Sequence, residues 1–301
     1  LKADVVFALD VGGTYIKACV LEQDRILDNT ICQFEARSHE SQENIITHLV
    51  SILNSLAAKY KENAGLYQKV LGIGFTFPGP FDYVNGISYI KGLNKFESLY
   101  GVNLREQLLQ RLHATEIWLE TKKIHLLFEN DGCLFGLGAS KNFPNERMIC
   151  LTIGTGLGSV FIDQGKIIKN AENIPPEGYL YNQPFRDSII DNHFSRRGIL
   201  QAAAAINVNK VDVKELAEIA RRGNSTAKAI FTQFGSDLGE MLLPYIENFQ
   251  PHRIIIGGQI AKSFDLFQIS LEEKLKRTST KVNELEDALH YTFLGISLMF
   301  A

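Results

Sequence analysis

The stretch Asp10-Val11-Gly12-Gly13-Thr14, followed by Lys17, joins a carboxylate, a glycine pair, a hydroxyl and a cation. A bound phosphate needs backbone N–H groups pointed at it with no Cβ in the way, and glycine permits that close approach. Thr14 adds a hydroxyl, Asp10 suits a hydrated Mg²⁺, and Lys17 offsets phosphate charge. The same glycine pair also suits a plain hairpin turn. A second stretch, Gly154-Thr155-Gly156-Leu157-Gly158, resembles a dinucleotide fingerprint. Strand-like residues 159–162 follow where a helix should begin, so a second phosphate hairpin is predicted instead. Gly257-Gly258 after a short apolar run offers a bare surface for a base or ribose, or simply caps a strand. Glycine turns recurring at strand ends favour nucleotide binding over coincidence.

Asn130-Asp131 follows the strand-like residues 124–128 and opens a helix-like stretch over 132–139. One reading is a helix cap. The other places the Asp131 carboxylate at a strand-to-helix corner, where α/β folds collect ligands, to accept a hydroxyl proton during phosphoryl transfer. Asn130 would then bind a neighbouring hydroxyl.

These residues need strands that end in tight turns, and the apolar pattern supplies them. Strands are expected over 4–9, 15–21 and 25–34, then a helix from Ser41 with Ile45, Ile46, Leu49, Leu53 and Leu56 on one face, then a strand over 70–77. The second half repeats this grammar with strands over 148–153, 158–162, 165–169 and 253–256. Helices are expected over 213–221, 226–247, 259–263 and 286–300.

At 301 residues, two packed lobes are the prior. Thirty-one basic against 34 acidic side chains give a net charge of −3, which offers nucleic acid no electrostatic footprint. No apolar run approaches the length of a membrane span. Cys19, Cys32, Cys133 and Cys150 are widely spaced without a C-x-x-C pair, which disfavours zinc knuckles and redox pairs and suits a reducing cytoplasm.

Taken together, these motifs resemble the ROK family of sugar kinases and sugar-responsive repressors, within the actin-like ATPase superfamily. Asp10 to Thr14 with Lys17 matches the family's first phosphate motif, and residues 151–158 match the second. Phe77-Pro78-Gly79-Pro80-Phe81-Asp82 matches the loop beside the sugar, Glu129-Asn130-Asp131 the catalytic strand end, and Ile255-Ile256-Gly257-Gly258-Gln259 the adenosine motif. They follow one another in the family's order, and the resemblance covers nearly the whole chain.

The resemblance implies a two-lobed, ribonuclease H-like α/β fold with a central cleft. Residues 1–122 would form the smaller lobe, rejoined by a C-terminal helix at about 286–301, and residues 123–285 the larger one. It implies ATP and Mg²⁺ as cofactors, with Asp10 holding the metal through water. Gly12, Gly13, Thr14, Lys17, Gly154, Thr155, Gly156, Gly257 and Gly258 would bind ATP. Asp131 would deprotonate the acceptor, commonly the C6 hydroxyl of a hexose, with Gly79 and Asn130 at the sugar. A homodimer is common in the family.

Two departures stand out. The family's Glu-x-Gly-His segment corresponds here to Ile174-Pro175-Pro176-Glu177-Gly178-Tyr179-Leu180, with no histidine, and residues 185–195 lack its zinc-binding cysteines. No structural zinc is therefore expected, since a tetrahedral site needs about four Cys/His ligands close together. Glu177 is the expected substitute for the lost glutamate contact, and Asp191 is expected where the family tends to place a sugar-binding glutamate. The repressors' DNA-binding segment would precede the first strand, where this sequence has only residues 1–3. The competing expectations are a non-catalytic sugar sensor of the same fold, or a superfamily kinase for another polyol or carboxylate.

Overall fold

The structure, a computed structural model, describes residues 4–64, 69–112, 124–206 and 212–301. The chain divides into two compact units: Leu1–Leu134 with Leu289–Ala301, and Phe135–Ala288.

The first unit is built on β1 (Asp4–Val11), β2 (Tyr15–Glu22), β3 (Arg25–Ile26), β4 (Cys32–Glu35), β5 (Lys69–Thr76) and β8 (His125–Glu129), with the small hairpin β6 (Phe81–Asp82) and β7 (Ile87–Ser88) beside them. Its main sheet runs β3-β2-β1-β5-β8, with β4 also on β2. The expected third strand over 25–34 is broken. Thr30 Oγ1 accepts from the Val20 N–H (2.9 Å) and donates to the Leu27 carbonyl (2.6 Å), bending residues Asp28–Thr30 into a 3₁₀ turn. Helix Gln42–Ala64 buries Ile45, Ile46, Leu49, Leu53 and Leu56 in one cluster with Phe7, Leu9, Ile73 and Phe75 of the sheet. The expected division after residue 122 differs from the observed one because β8 pairs in parallel with β5. That pairing keeps the strand leading to Asp131 in the first unit.

The last helix, Ala288–Leu298, belongs to this unit as well. Gly295 lies so close to the Leu134 carbonyl that a Cβ there would overlap it. Ile296 and Phe300 fill the space that side chains at Gly74 and Gly72 would take, and Ser297 Oγ donates to Asp24 Oδ1 at 2.7 Å.

The second unit holds β9 (Arg147–Ile153), β10 (Leu157–Asp163), β11 (Lys166–Ile168), the hairpin β12 (Pro184–Phe185) and β13 (Ser188–Ile189), β14 (Arg253–Gly257) and β15 (Lys281–Glu284). Its sheet order is β11-β10-β9-β14-β15. Ile149, Leu151, Ile254 and Ile256 form one core with Phe231, Leu238 and Leu242 of helix Ser225–Phe249 and Phe267 and Leu271 of helix Phe264–Leu275. The stretch 259–263 forms a short 3₁₀ turn at Ile260–Ser263, and the main helix follows it. Helix Arg196–Ala205, which apolar periodicity does not announce, is capped by Ser195, whose side chain accepts from the Gly198 N–H.

Candidate functional site

In the first unit, strand register does the positioning. β1 and β5 are parallel neighbours with Asp10 opposite Thr76, and β5 and β8 continue the row with Thr76 opposite Glu129. Three parallel strands thus end level. The chain leaves them as the Gly12 turn, the Pro78–Pro80 loop and the Asn130-Asp131 corner, all at the carboxyl ends of the strands, where such sheets bind ligands.

Asp10 is half-buried, and Thr76 Oγ1 donates to its Oδ1 at 2.7 Å while accepting from the Val11 N–H at 3.0 Å. Burial pushes the Asp10 carboxyl above its ordinary range. The Thr76 hydrogen bond opposes that shift, the Asp131 charge adds to it, and Lys17, its cross-strand partner, draws it back. The turn closes with Gly12 N–H donating to Tyr15 O (3.0 Å), and Ser38 Oγ donates to Gly13 O (2.7 Å). Among the described residues, the N–H groups of Gly13 and Thr14 donate to no protein acceptor. They form a small cradle of donors at the strand end. Lys95, which the sequence reading did not single out, lies with its side chain against Gly13, 2.9 Å from where a Cβ would stand.

The Gly79 loop rests on an aromatic cluster. The Phe77 ring lies 4.9 Å from Phe81 and 5.3 Å from Phe96, and the Phe81 ring 5.3 Å from Phe128. Tyr83 Oη donates to Phe77 O at 3.0 Å, and Phe77 N–H donates to Glu129 O at 3.1 Å, tying the loop to the β8 end. These rings are scattered along the sequence, so only the strand-end glycine and prolines signalled the loop.

At the corner, the helix begins one residue earlier than expected and spans Asp131–Ala139. The cap is Asn130, whose Oδ1 accepts from the Gly132 N–H at 2.9 Å; Asp131 Oδ1 shares that N–H at the same distance. Asn130 N–H in turn donates to Glu129 Oε1 at 2.8 Å. Capping therefore falls to Asn130, and Asp131 holds an exposed carboxylate on the helix's first turn.

The second unit brings together Gly154–Gly156, Gly258 and Asp191. The turn closes with Gly154 N–H donating to Gly156 O (2.9 Å), and Gly154 O accepts from Arg196 N–H (2.7 Å). The N–H groups of Thr155 and Gly156 donate to no acceptor among the described residues, repeating the first cradle. A Cβ at Gly154 would meet nothing within 4 Å. Gly258, at φ +91°, packs where a Cβ would stand 2.6 Å from Ile153 O, so glycine is required there. An open hollow of about 460 Å³ beside the turn is lined by Thr155, Arg196, Arg197, Leu200, Gln201 and Ala204.

The two residues expected at the sugar, Asp191 and Glu177, have protein partners of their own. Asp191 Oδ1 accepts from the Leu157 N–H at 2.7 Å and its Oδ2 pairs with Arg197 at 2.6 Å, so its oxygens reach the Gly154–Leu157 turn and its flank. Glu177, at φ +56°, is exposed and exchanges hydrogen bonds with Asn170 (2.7 and 3.2 Å). Between them the chain is ordered by rings and ion pairs. Phe185 packs edge-on to His193 and near Phe194, Phe194 meets Phe234, and Arg186 reaches Asp237 (2.7 Å) and Glu240 (2.9 Å). Among the described residues, no group of three or more His, Cys, Asp or Glu is arranged to hold a metal ion.

A family model described as the ROK family matches residues 6–290. The chain belongs to the ROK family. It is 23% identical over 298 residues to a glucokinase of Thermotoga maritima, covering 90% of this chain and 86% of that one. It is 22% identical over 309 residues to an N-acetyl-D-glucosamine kinase of Haemophilus influenzae, covering 94% of each. Among solved structures, a glucokinase from Parabacteroides distasonis superposes with a TM-score of 0.78 at 20% identity, over 99% of this chain and 98% of that one. The fold is thus that of the ROK sugar kinases, an actin-like ATPase α/β fold. None of the described helices is long and apolar enough to cross a membrane.

Proposed function

We propose that this ROK protein transfers the γ-phosphoryl group of ATP to a hydroxyl of a hexose-type sugar in the cytoplasm. The observation that carries this reading is the level ending of β1, β5 and β8, which puts Asp10, the first donor cradle and Asp131 at one edge of a sheet. Asp131 accepts the proton of the acceptor hydroxyl as the O–P bond forms. Asn130 and the Gly79 loop orient the sugar, the loop being held by its aromatic cluster. The N–H groups of Gly13 and Thr14, with Lys17, bind phosphate oxygens from the first unit. The N–H groups of Thr155 and Gly156 form a second phosphate cradle, with Gly257, Gly258 and the hollow flanked by Leu200 and Gln201 to take the nucleoside. A half-buried carboxylate with a hydroxyl partner suits Mg²⁺ held through water, so Asp10 is its anchor. When bound, that ion neutralises the β- and γ-phosphate charge. The relatives' names span glucose and an N-acetylhexosamine, so the acceptor class here is a hexose or its N-acetyl derivative.

The test is Mg²⁺-dependent ATP consumption across a panel of glucose, mannose, fructose, N-acetylhexosamines and β-glucosides. Turnover well above the sugar-free rate with at least one of them is expected. A protein that binds one of these sugars yet consumes no ATP would overturn the reading in favour of a sensor.

A further inference from the structure

We infer that Asp191 is a positioning residue for the second phosphate turn, held in place by Arg197. The inference rests on the reading of that turn as a phosphoryl-donor cradle.

The turn Gly154–Leu157 is short and glycine-rich, so its own sequence does little to fix where its N–H groups point. Two outside bonds fix it. The Arg196 N–H, on the first turn of helix Arg196–Ala205, holds the Gly154 carbonyl at 2.7 Å. Asp191 Oδ1 holds the Leu157 N–H at 2.7 Å. The undonated N–H groups of Thr155 and Gly156 lie between these anchors. Gly156 itself is pressed against the carboxylate, since a Cβ there would stand 3.0 Å from Asp191 Oδ1.

The carboxylate is in turn aimed by two bonds of its own. Its backbone N–H donates to Tyr181 O at 3.0 Å, and its Oδ2 pairs with Arg197 at 2.6 Å. Asp191 is 19% exposed and Arg197 51% exposed, so the arginine can be altered without opening a core. The guanidinium also lines the hollow beside Thr155. A carboxylate that accepts a backbone N–H with one oxygen and a guanidinium with the other is charge-assisted at both ends. Each of its two oxygens is thereby aimed by one partner, Oδ1 by the turn and Oδ2 by its flank.

Full-length wild type, Asp191→Ala, Arg197→Ala and Arg197→Lys should be compared in two ways. The first is steady-state kinetics with ATP and sugar varied separately. The second is amide hydrogen exchange over residues 154–158 without ligand. Asp191→Ala should raise the KM for ATP by about 10–100-fold, the scale of losing one charged hydrogen bond. It should speed exchange at 154–158 and leave the ranking of sugars unchanged. Arg197→Ala should move the same readouts less, and Arg197→Lys should restore most of the loss because it returns a cation to Oδ2. A changed sugar ranking with an unchanged KM for ATP would overturn the inference. If Asp191→Ala does not fold, Arg197→Ala decides: unaltered exchange and unaltered KM for ATP would sink it. If wild type shows no ATP-dependent turnover but exchange at 154–158 still quickens in the variants, the proposed function fails while the positioning role stands.

Discussion

The turn at Gly12–Thr14 takes its acid from the strand that leads into it, whereas the turn at Gly154–Leu157 takes its acid from a segment 34 residues beyond Leu157. Asp10 is half-buried at the end of the sheet and buttressed by Thr76. Asp191 is reached through a hairpin and a four-residue helix, and is aimed by an exposed arginine. Both turns leave N–H groups directed at whatever fills the cradle. The first is preorganised by strand register, which is costly to distort. The second is preorganised by side chains that a single substitution can remove. The first should therefore resist perturbation of its surroundings, and the second should pass it on to the ligand.

The largest expected effect lies outside both turns. Asp131→Asn should lower kcat by about 10²–10⁴-fold, the usual share of a positioned general base. Sugar affinity should hold, because the helix cap is Asn130 and survives the change. Calorimetry for sugar and a coupled assay for turnover on one preparation would check this. Near-normal turnover in the folded variant would remove Asp131 from the chemistry.

The comparison of the turns is sharpened by matched glycine substitutions. A Cβ at Gly12 would press on Tyr15 O at 2.9 Å, while one at Gly154 would meet nothing. Gly12→Ala should destabilise the protein by about 1–3 kcal/mol. Gly154→Ala should stay within about 0.5 kcal/mol of wild type in urea melts. Yet it should weaken ATP binding if phosphate oxygens approach that open face. Unchanged ATP affinity in Gly154→Ala would mean that this turn is only a turn.

A smaller effect follows from the burial of Asp10. Its carboxyl is held above the ordinary value of 3.8, so ionising it costs the folded state. That cost is absent below about pH 3.8, where both states are protonated, and is complete above the raised pKa. Asp10→Asn keeps an acceptor for Thr76 and removes the charge. Without ligand it should melt at the same temperature as wild type in acid and a few degrees higher at neutral pH, the scale on which about 1 kcal/mol moves Tm for a protein this size. A lower Tm at pH 7 would show that Asp10 is paired more strongly than its neighbours indicate.

The first turn was legible because its signature is local, a β-branched strand, a glycine pair, a hydroxyl and a lysine in register; its distant partners Thr76, Ser38 and Lys95 were not. Asn130-Asp131 was legible as a pair, but not which of the two caps the helix, since that depends on a rotamer. Asp191 was visible as a residue, but its hydrogen bonds were not. Its partners, Leu157 and Arg197, are joined by a fold path that spacing does not encode. The aromatic bed under the Gly79 loop draws on Phe96 and Phe128, whose meeting is a tertiary event. The boundary between the units moved for the same reason, because pairing of β8 with β5 is a long-range choice.

Gly295 against the Leu134 carbonyl carries one more consequence, in the order of synthesis. Leu134 lies one turn beyond Asp131 on the same helix, and the helix that braces it is encoded after all of residues Phe135–Ala288. Ribosomes release chains from the N-terminus, and domains generally fold as units as they emerge. The first unit breaks that habit. While the second unit is still being made, the glycine face of β5 at Gly72 and Gly74 waits for Ile296 and Phe300, and the backbone under Asp131 waits for Gly295. The nascent chain thus carries the whole of residues Phe135–Ala288 before the core of the first unit can close under Asp131.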